Sequence, residues 1–101
     1  MTQAFERIIH VRVSGRVQRV GYRAWTEGQA DARGLMGWVR NRHDGSVEAV
    51  FAGSAEAIAG MAQACWRGPT SSEVSGVDVQ EVGEDELGTA SRTAFLTLPT
   101  A

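Results

Sequence analysis

Asp44-Gly45 lies between two strand-like runs, Leu35 to Asn41 and Ser46 to Ala52. An Asp-Gly pair in that position favours a tight turn with positive backbone angles, and hence a hairpin. The middle of the chain is thereby committed to two antiparallel neighbours. In the second run Val47, Ala49 and Phe51 alternate, as a strand requires. Upstream, Arg7 to Ser14 sets Ile9, Val11 and Val13 on one face and His10, Arg12 and Ser14 on the other. That pattern predicts a half-buried strand, ended by Gly15. A short polar, glycine-flanked stretch follows, and then a helix is expected over about Tyr22 to Arg33, stopped by Gly34. Trp25, Ala24, Ala30 and Ala32 are expected on its core side, although Gly28 lowers its intrinsic stability.

Past the hairpin, Ser54 is a good helix N-cap. Ile58, Met61, Ala62, Cys65 and Trp66 recur at i, i+3, i+4, i+7 and i+8, and Gly68-Pro69 ends the helix. Val77 and Val79 mark a fourth strand over Val74 to Val82. Glu84-Asp85-Glu86 reads as a solvated acidic loop, and Thr93 to Leu98 as a short last strand. The order is βαββαβ with one extra terminal strand. Its natural packing is an α+β, ferredoxin-like sandwich: an antiparallel sheet with two helices on one face. Many functions share this order, so the site must decide.

The 101 residues suit a single domain, expected to span 1–101. No apolar run reaches the length of a membrane span, and the start lacks the order of a secretion signal, so no membrane partner is expected and the cytoplasm is the expected location. A lone cysteine, Cys65, excludes an intrachain disulfide and a Cys-pair zinc site; on the apolar stripe of the second helix it reads as a core thiol. Net charge is −2, but unevenly distributed. All ten basic residues are arginine, and eight fall in the first 42 residues against Glu6, Glu27 and Asp31, leaving that segment +5 and the remainder −7. Forked guanidinium contact suits carboxylate or phosphate oxygens. An acidic small molecule accounts for the asymmetry; so do nucleic acid, or base composition with solvated charge.

Gly15-Arg16-Val17-Gln18-Arg19-Val20-Gly21-Tyr22-Arg23 joins the first strand to the first helix. Backbone N–H groups in such a turn lack ladder partners and can converge on an anion at the helix start. Arg23 can set a guanidinium over the same anion. The stretch lacks the Gly-Lys-Ser/Thr ending of a nucleotide P-loop and the glycine spacing of a dinucleotide fingerprint. An ordinary strand-to-helix turn with a surface arginine is the plain alternative.

That stretch closely resembles the first signature of the acylphosphatase family. Gly37-Trp38-Val39-Arg40-Asn41, followed by Asp44-Gly45-Ser46-Val47-Glu48, resembles the second, with Gly34-Leu35 before it. The resemblance runs across most of the chain. It implies a ferredoxin-like fold and hydrolysis of carboxyl-phosphate anhydrides without metal or cofactor. It also implies two catalytic residues, Arg23 and Asn41, and a phosphate-holding loop of Val17, Gln18, Arg19, Val20, Gly21 and Tyr22. The partners it implies are a small-molecule acyl phosphate and inorganic phosphate as product or inhibitor, with the chain acting as a monomer. Two departures stand out: Arg19 where the family usually has glycine, and Tyr22 for the more usual phenylalanine. Arg19 is expected to tune phosphate binding.

His43 reads as a hairpin-loop histidine, and His10 as a strand residue with no visible partner. Trp25, Trp38 and Trp66 read as core or core-edge residues. Three rivals share the fold: a regulatory or maturation-factor domain, a catalytically weak phosphate binder, and an RNA-binding module. The last stacks bases on sheet aromatics, for which the third strand offers Phe51 but no basic-aromatic signature.

Overall fold

The computed structural model describes residues 5–88 and 90–101. The elements are β1 (Arg7–Arg16), α1 (Tyr22–Ala32), β2 (Met36–Asn41), β3 (Val47–Gly53), α2 (Ala55–Arg67), β4 (Glu73–Glu81) and β5 (Phe95–Thr97), with short 3-10 turns at Glu84–Glu86 and Ala90–Arg92. They form one sheet in the order β4-β1-β3-β2-β5. The first four strands pair antiparallel, as expected. The terminal strand instead runs parallel to β2, so the sheet is mixed. Three residues at an edge carry no local signal of their partner. Nor does β1 stop at Gly15: it runs on to Arg16 through a register shift between Ser14 and Gly15.

One face of the sheet meets the helices. Ile9, Val11 and Val13 pack there with Val39, Phe51, Ile58, Met61 and Cys65. The buried residues of α1 are Tyr22, Thr26 and Ala30, one turn apart, so Ala24 and Ala32 face solvent rather than the core. Thr26 tolerates burial because its hydroxyl donates to the Tyr22 carbonyl at 2.8 Å. Trp25 is half-buried against this core, its ring centroid 5.2 Å from that of Tyr22. In α2 the Ser54 hydroxyl accepts from the Ala57 N–H at 3.1 Å, the expected cap. Its buried arc is Ile58, Met61, Ala64 and Cys65, while Trp66 is 54% exposed. At about 100° per residue, Ala64 and Trp66 flank opposite sides of the Ile58–Cys65 line. The helix leans toward Ala64, which puts Trp66 outside the core. Val79 stands opposite Val11 on the helix-side face, but on the edge strand it is 42% exposed.

The other face of the sheet is covered too. Ile8, Trp38, Val50 and Ala52 form a second cluster with Leu87, which the segment after β4 carries across the sheet. The Trp38 indole N–H donates to the Glu86 carbonyl at 3.0 Å. The Glu84-Asp85-Glu86 stretch is therefore a 3-10 turn that docks its neighbour, not a free loop. Covered on both faces, β3 is buried from Val47 through Ala52.

Candidate active site

The β1–α1 connection is anchored by Val17, 1% exposed in the core. Beyond it the backbone turns left-handed at Arg19 (φ 63°) and at Gly21 (φ 81°), which is the N-cap residue of α1. Gly21 offers no side-chain cap, and no acidic residue occupies the first turn of α1. Trp25 is the first residue of the helix whose N–H finds a backbone acceptor, the Gly21 carbonyl. Among the described residues, nothing accepts from the N–H groups of Gln18 through Ala24. Unpaired donors and a helix N-terminus therefore meet in one concavity, an arrangement that favours an anion.

Val17, Arg19, Gly21, Tyr22 and Arg23 line a pocket of about 440 Å³ together with Asn41 from the end of β2. Strand alternation sets Val39 and Asn41 on the helix-covered face, which brings Asn41 to the start of α1. Among the described residues Arg23 has no ion-pair partner, and the Asn41 side chain has no hydrogen bond. Both are polar groups facing the pocket with their bonding capacity unused.

Two residues of the expected loop stand apart from the pocket lining. Val20 packs against the core. The Gln18 side-chain amide donates to the Arg42 carbonyl at 2.8 Å and the Ser46 carbonyl at 2.9 Å. It ties the loop to the β2–β3 hairpin, so its side chain is committed to holding the loop in place. The Tyr22 hydroxyl donates to the Cys65 carbonyl at 2.7 Å, and burial raises its pKa well above the phenol range. Its hydroxyl is thus structural, bonded across to α2. Burial also pushes the Cys65 thiol up to about 11, so it stays protonated at neutral pH.

Ala24, Glu27 and Thr97 also line the pocket, and none had been assigned there. Glu27 lies one turn beyond Arg23, a spacing that could have revealed it. Its carboxylate accepts from the Thr97 hydroxyl at 3.1 Å. Thr97 arrives only through the parallel pairing of β5, so no local pattern pointed to it. On the opposite face His10, expected to be unpartnered, lies 2.6 Å from the Glu48 carboxylate. Burial disfavours the Glu48 anion, but bonds from His10 and Arg40 outweigh it and hold the pKa below the usual glutamate range.

Arg19 sits where an L-residue is strained by about 1 kcal/mol, and glycine is not. Arg19→Gly is therefore expected to leave stability within about 1 kcal/mol, strain relief offsetting the added freedom of the unfolded chain. Its effect should fall on binding: a KM raised about 3-fold, with a weaker salt dependence, as one screened surface charge is lost. Michaelis kinetics across a salt series check this; an unchanged KM and salt slope would end the tuning role.

Among the described residues no cluster of three or more His, Cys, Asp or Glu side chains forms a metal site. Among the described residues no helix is long and apolar enough to cross a membrane. Fold and site together define a small α+β sandwich whose strand-to-helix loop lines a pocket with Arg23 and Asn41. The acylphosphatase family model matches residues 9–90, and the chain belongs to that family. An acylphosphatase of Bradyrhizobium diazoefficiens is 53% identical over 94 residues, covering 92% of this chain and 95% of its own. Among solved structures, an acylphosphatase from Coxiella burnetii superposes with a TM-score of 0.84 at 35% identity, covering 97% of this chain and all of its own. The Bacillus subtilis acylphosphatase superposes with a TM-score of 0.81 at 33% identity, covering 90% of this chain and 97% of its own.

Proposed function

We propose that this protein hydrolyses the carboxyl-phosphate anhydride bond of small acyl phosphates, with the loop and Arg23 holding the phosphoryl group and Asn41 placing the water. The observation that carries the reading is the convergence of unpaired loop N–H groups, Arg23 and Asn41 on one pocket. The loop backbone and a forked pair of guanidinium bonds neutralise the phosphoryl oxygens. The Asn41 amide both donates and accepts, which suits orienting a water. The water oxygen bonds to phosphorus, the bond from phosphorus to the carboxyl oxygen breaks, and the carboxylate departs with the electron pair. A carboxylate leaves without strong protonation, so charge stabilisation and positioning suffice. That is why metal ions are dispensable in this scheme.

The RNA-binding rival loses its platform. Phe51 is fully buried on the helix side, stacked on Phe95 with centroids 5.5 Å apart, and the opposite face is covered around Leu87. The unpaired, buried Cys65 supports a reducing compartment such as the cytoplasm.

The test is hydrolysis of benzoyl phosphate with a chelator present. Wild type should turn over, and Asn41→Ala should lose about 100-fold in kcat or more, the scale seen when a preorganised group at developing charge is removed. KM should change little. An Asn41→Ala enzyme with full kcat would remove the water-positioning role, and a folded wild type without turnover would leave only a phosphate binder.

A further inference from the structure

Glu48 projects from β3 on the sheet face away from the helices, its side chain only 10% exposed. A carboxylate there is costly unless fully bonded. It is bonded from three sides: His10 Nε2 on β1 lies at 2.6 Å, and Arg40 Nε on β2 donates at 2.8 Å. Arg42 beyond the strand donates from a terminal guanidinium nitrogen at 3.3 Å. Arg40 and Arg42 are the two residues flanking Asn41. Arg40 stands directly opposite Glu48 in the β2–β3 register, and its guanidinium also lies 4.8 Å from the centre of the Trp38 ring. On the same face Arg12 lies 3.6 Å from Asp44, and Asp78 stands opposite Arg12 in the β1–β4 register. From the other side, Gln18 holds the Arg42 carbonyl.

We propose that Glu48 is a positioning residue for Asn41: by clamping the side chains on both sides of it, Glu48 fixes the end of β2 so that the Asn41 amide keeps its place against Arg23 and the loop. The inference rests on the reading of Asn41 given above. Asn41 is the last residue of its strand: its carbonyl accepts from the Ala101 N–H at 3.0 Å and the next N–H, of Arg42, donates to the Ser46 carbonyl at 2.8 Å, which leaves twist of the strand end as its remaining freedom. Water placement tolerates little such freedom, since a displacement of about 1 Å can cost 100-fold in rate. One carboxylate binding residues 40 and 42 constrains residue 41 without touching the substrate.

The experiment is a double-mutant cycle on benzoyl phosphate hydrolysis with wild type, Glu48→Gln, Asn41→Ala and the double variant. Glu48→Gln is expected to lower kcat about 10-fold, a partial displacement on that scale, with KM within about 2-fold. In the Asn41→Ala background it should cost nothing further, because the group it positions is gone. A folded Glu48→Gln enzyme with wild-type kcat overturns the proposal. So does the same 10-fold loss in both backgrounds, which would leave the reading of Asn41 intact. If Asn41→Ala alone keeps full kcat, that reading falls and this one with it. Circular dichroism establishes folding. Should Glu48→Gln fail to fold, Arg40→Leu enters the same cycle with the same expectation and the same overturning results.

Discussion

Arg23→Ala is expected to lower kcat/KM for benzoyl phosphate about 10³-fold, a loss of roughly 4 kcal/mol of transition-state stabilisation. The guanidinium stands in the first turn of α1, lines the pocket, and has no ion-pair partner among the described residues. Arg40 and Arg42, by contrast, are engaged with Glu48. Arg23 holds its charge over a concavity that already collects unpaired N–H groups. Its forked donors would contact the phosphoryl group in the ground state and more strongly as charge develops, so KM and kcat should suffer together. Inhibition by inorganic phosphate should weaken in parallel. Arg23→Lys restores the charge without the fork and should recover only part of the loss. Stability should stay within about 0.5 kcal/mol, since no packed contact or ion pair is broken. Steady-state kinetics with a thermal melt of each variant decide it; a kcat/KM within about 3-fold of wild type would take the phosphate from Arg23.

The parts of this site that rest on local chemistry were legible beforehand. Asp44-Gly45, Ser54 and Gly68 each fix a turn or a helix end through their own backbone, and the elements begin and end close to those marks. The connection between β1 and α1 was legible because a strand, a glycine-flanked stretch and a helix follow one another without interruption. Asn41 followed from family resemblance rather than from physics, since one asparagine at a strand end carries no signal of its own. Its nearness to Arg23 is a property of the sheet order, in which β2 passes beneath the start of α1.

What stayed hidden depends on contacts between distant segments. Thr26 occupies the core position of α1 that Ala24 and Ala32 seemed to claim, because its hydroxyl has a partner one turn back. The partner of His10 lies 38 residues along the chain on another strand, which periodicity does not report. Glu48 carried no sign of its own of the contacts it makes, although His10, Arg40 and Arg42 converge on it. Trp66 followed the apolar period of α2 but fell outside the buried arc, because the lean of the helix is set by the residues it meets.

Gly37→Ala is expected to be the most destabilising small substitution near the site. Gly37 lies within β2 with φ 134°, and an added Cβ would sit 1.8 Å from the Val50 carbonyl oxygen and 2.8 Å from its carbon. Both are backbone atoms of the paired strand, so no side chain can rotate away. An L-residue in that conformation costs about 1–3 kcal/mol, and forcing atoms into a packed interior costs about 1–3 kcal/mol more. A loss of about 4 kcal/mol is a large share of the 5–15 kcal/mol typical of a small domain. It should lower the denaturation midpoint by about 15 °C or more. In urea the midpoint should fall with an unchanged slope, since the surface exposed on unfolding is the same. Below the melting temperature the separation of β2 from β3 should also lower kcat, because Asn41 ends the displaced strand. A melt within about 1 kcal/mol of wild type would mean that β2 and β3 can part cheaply at this point. The glycine that opens the second motif is thereby assigned to strand spacing.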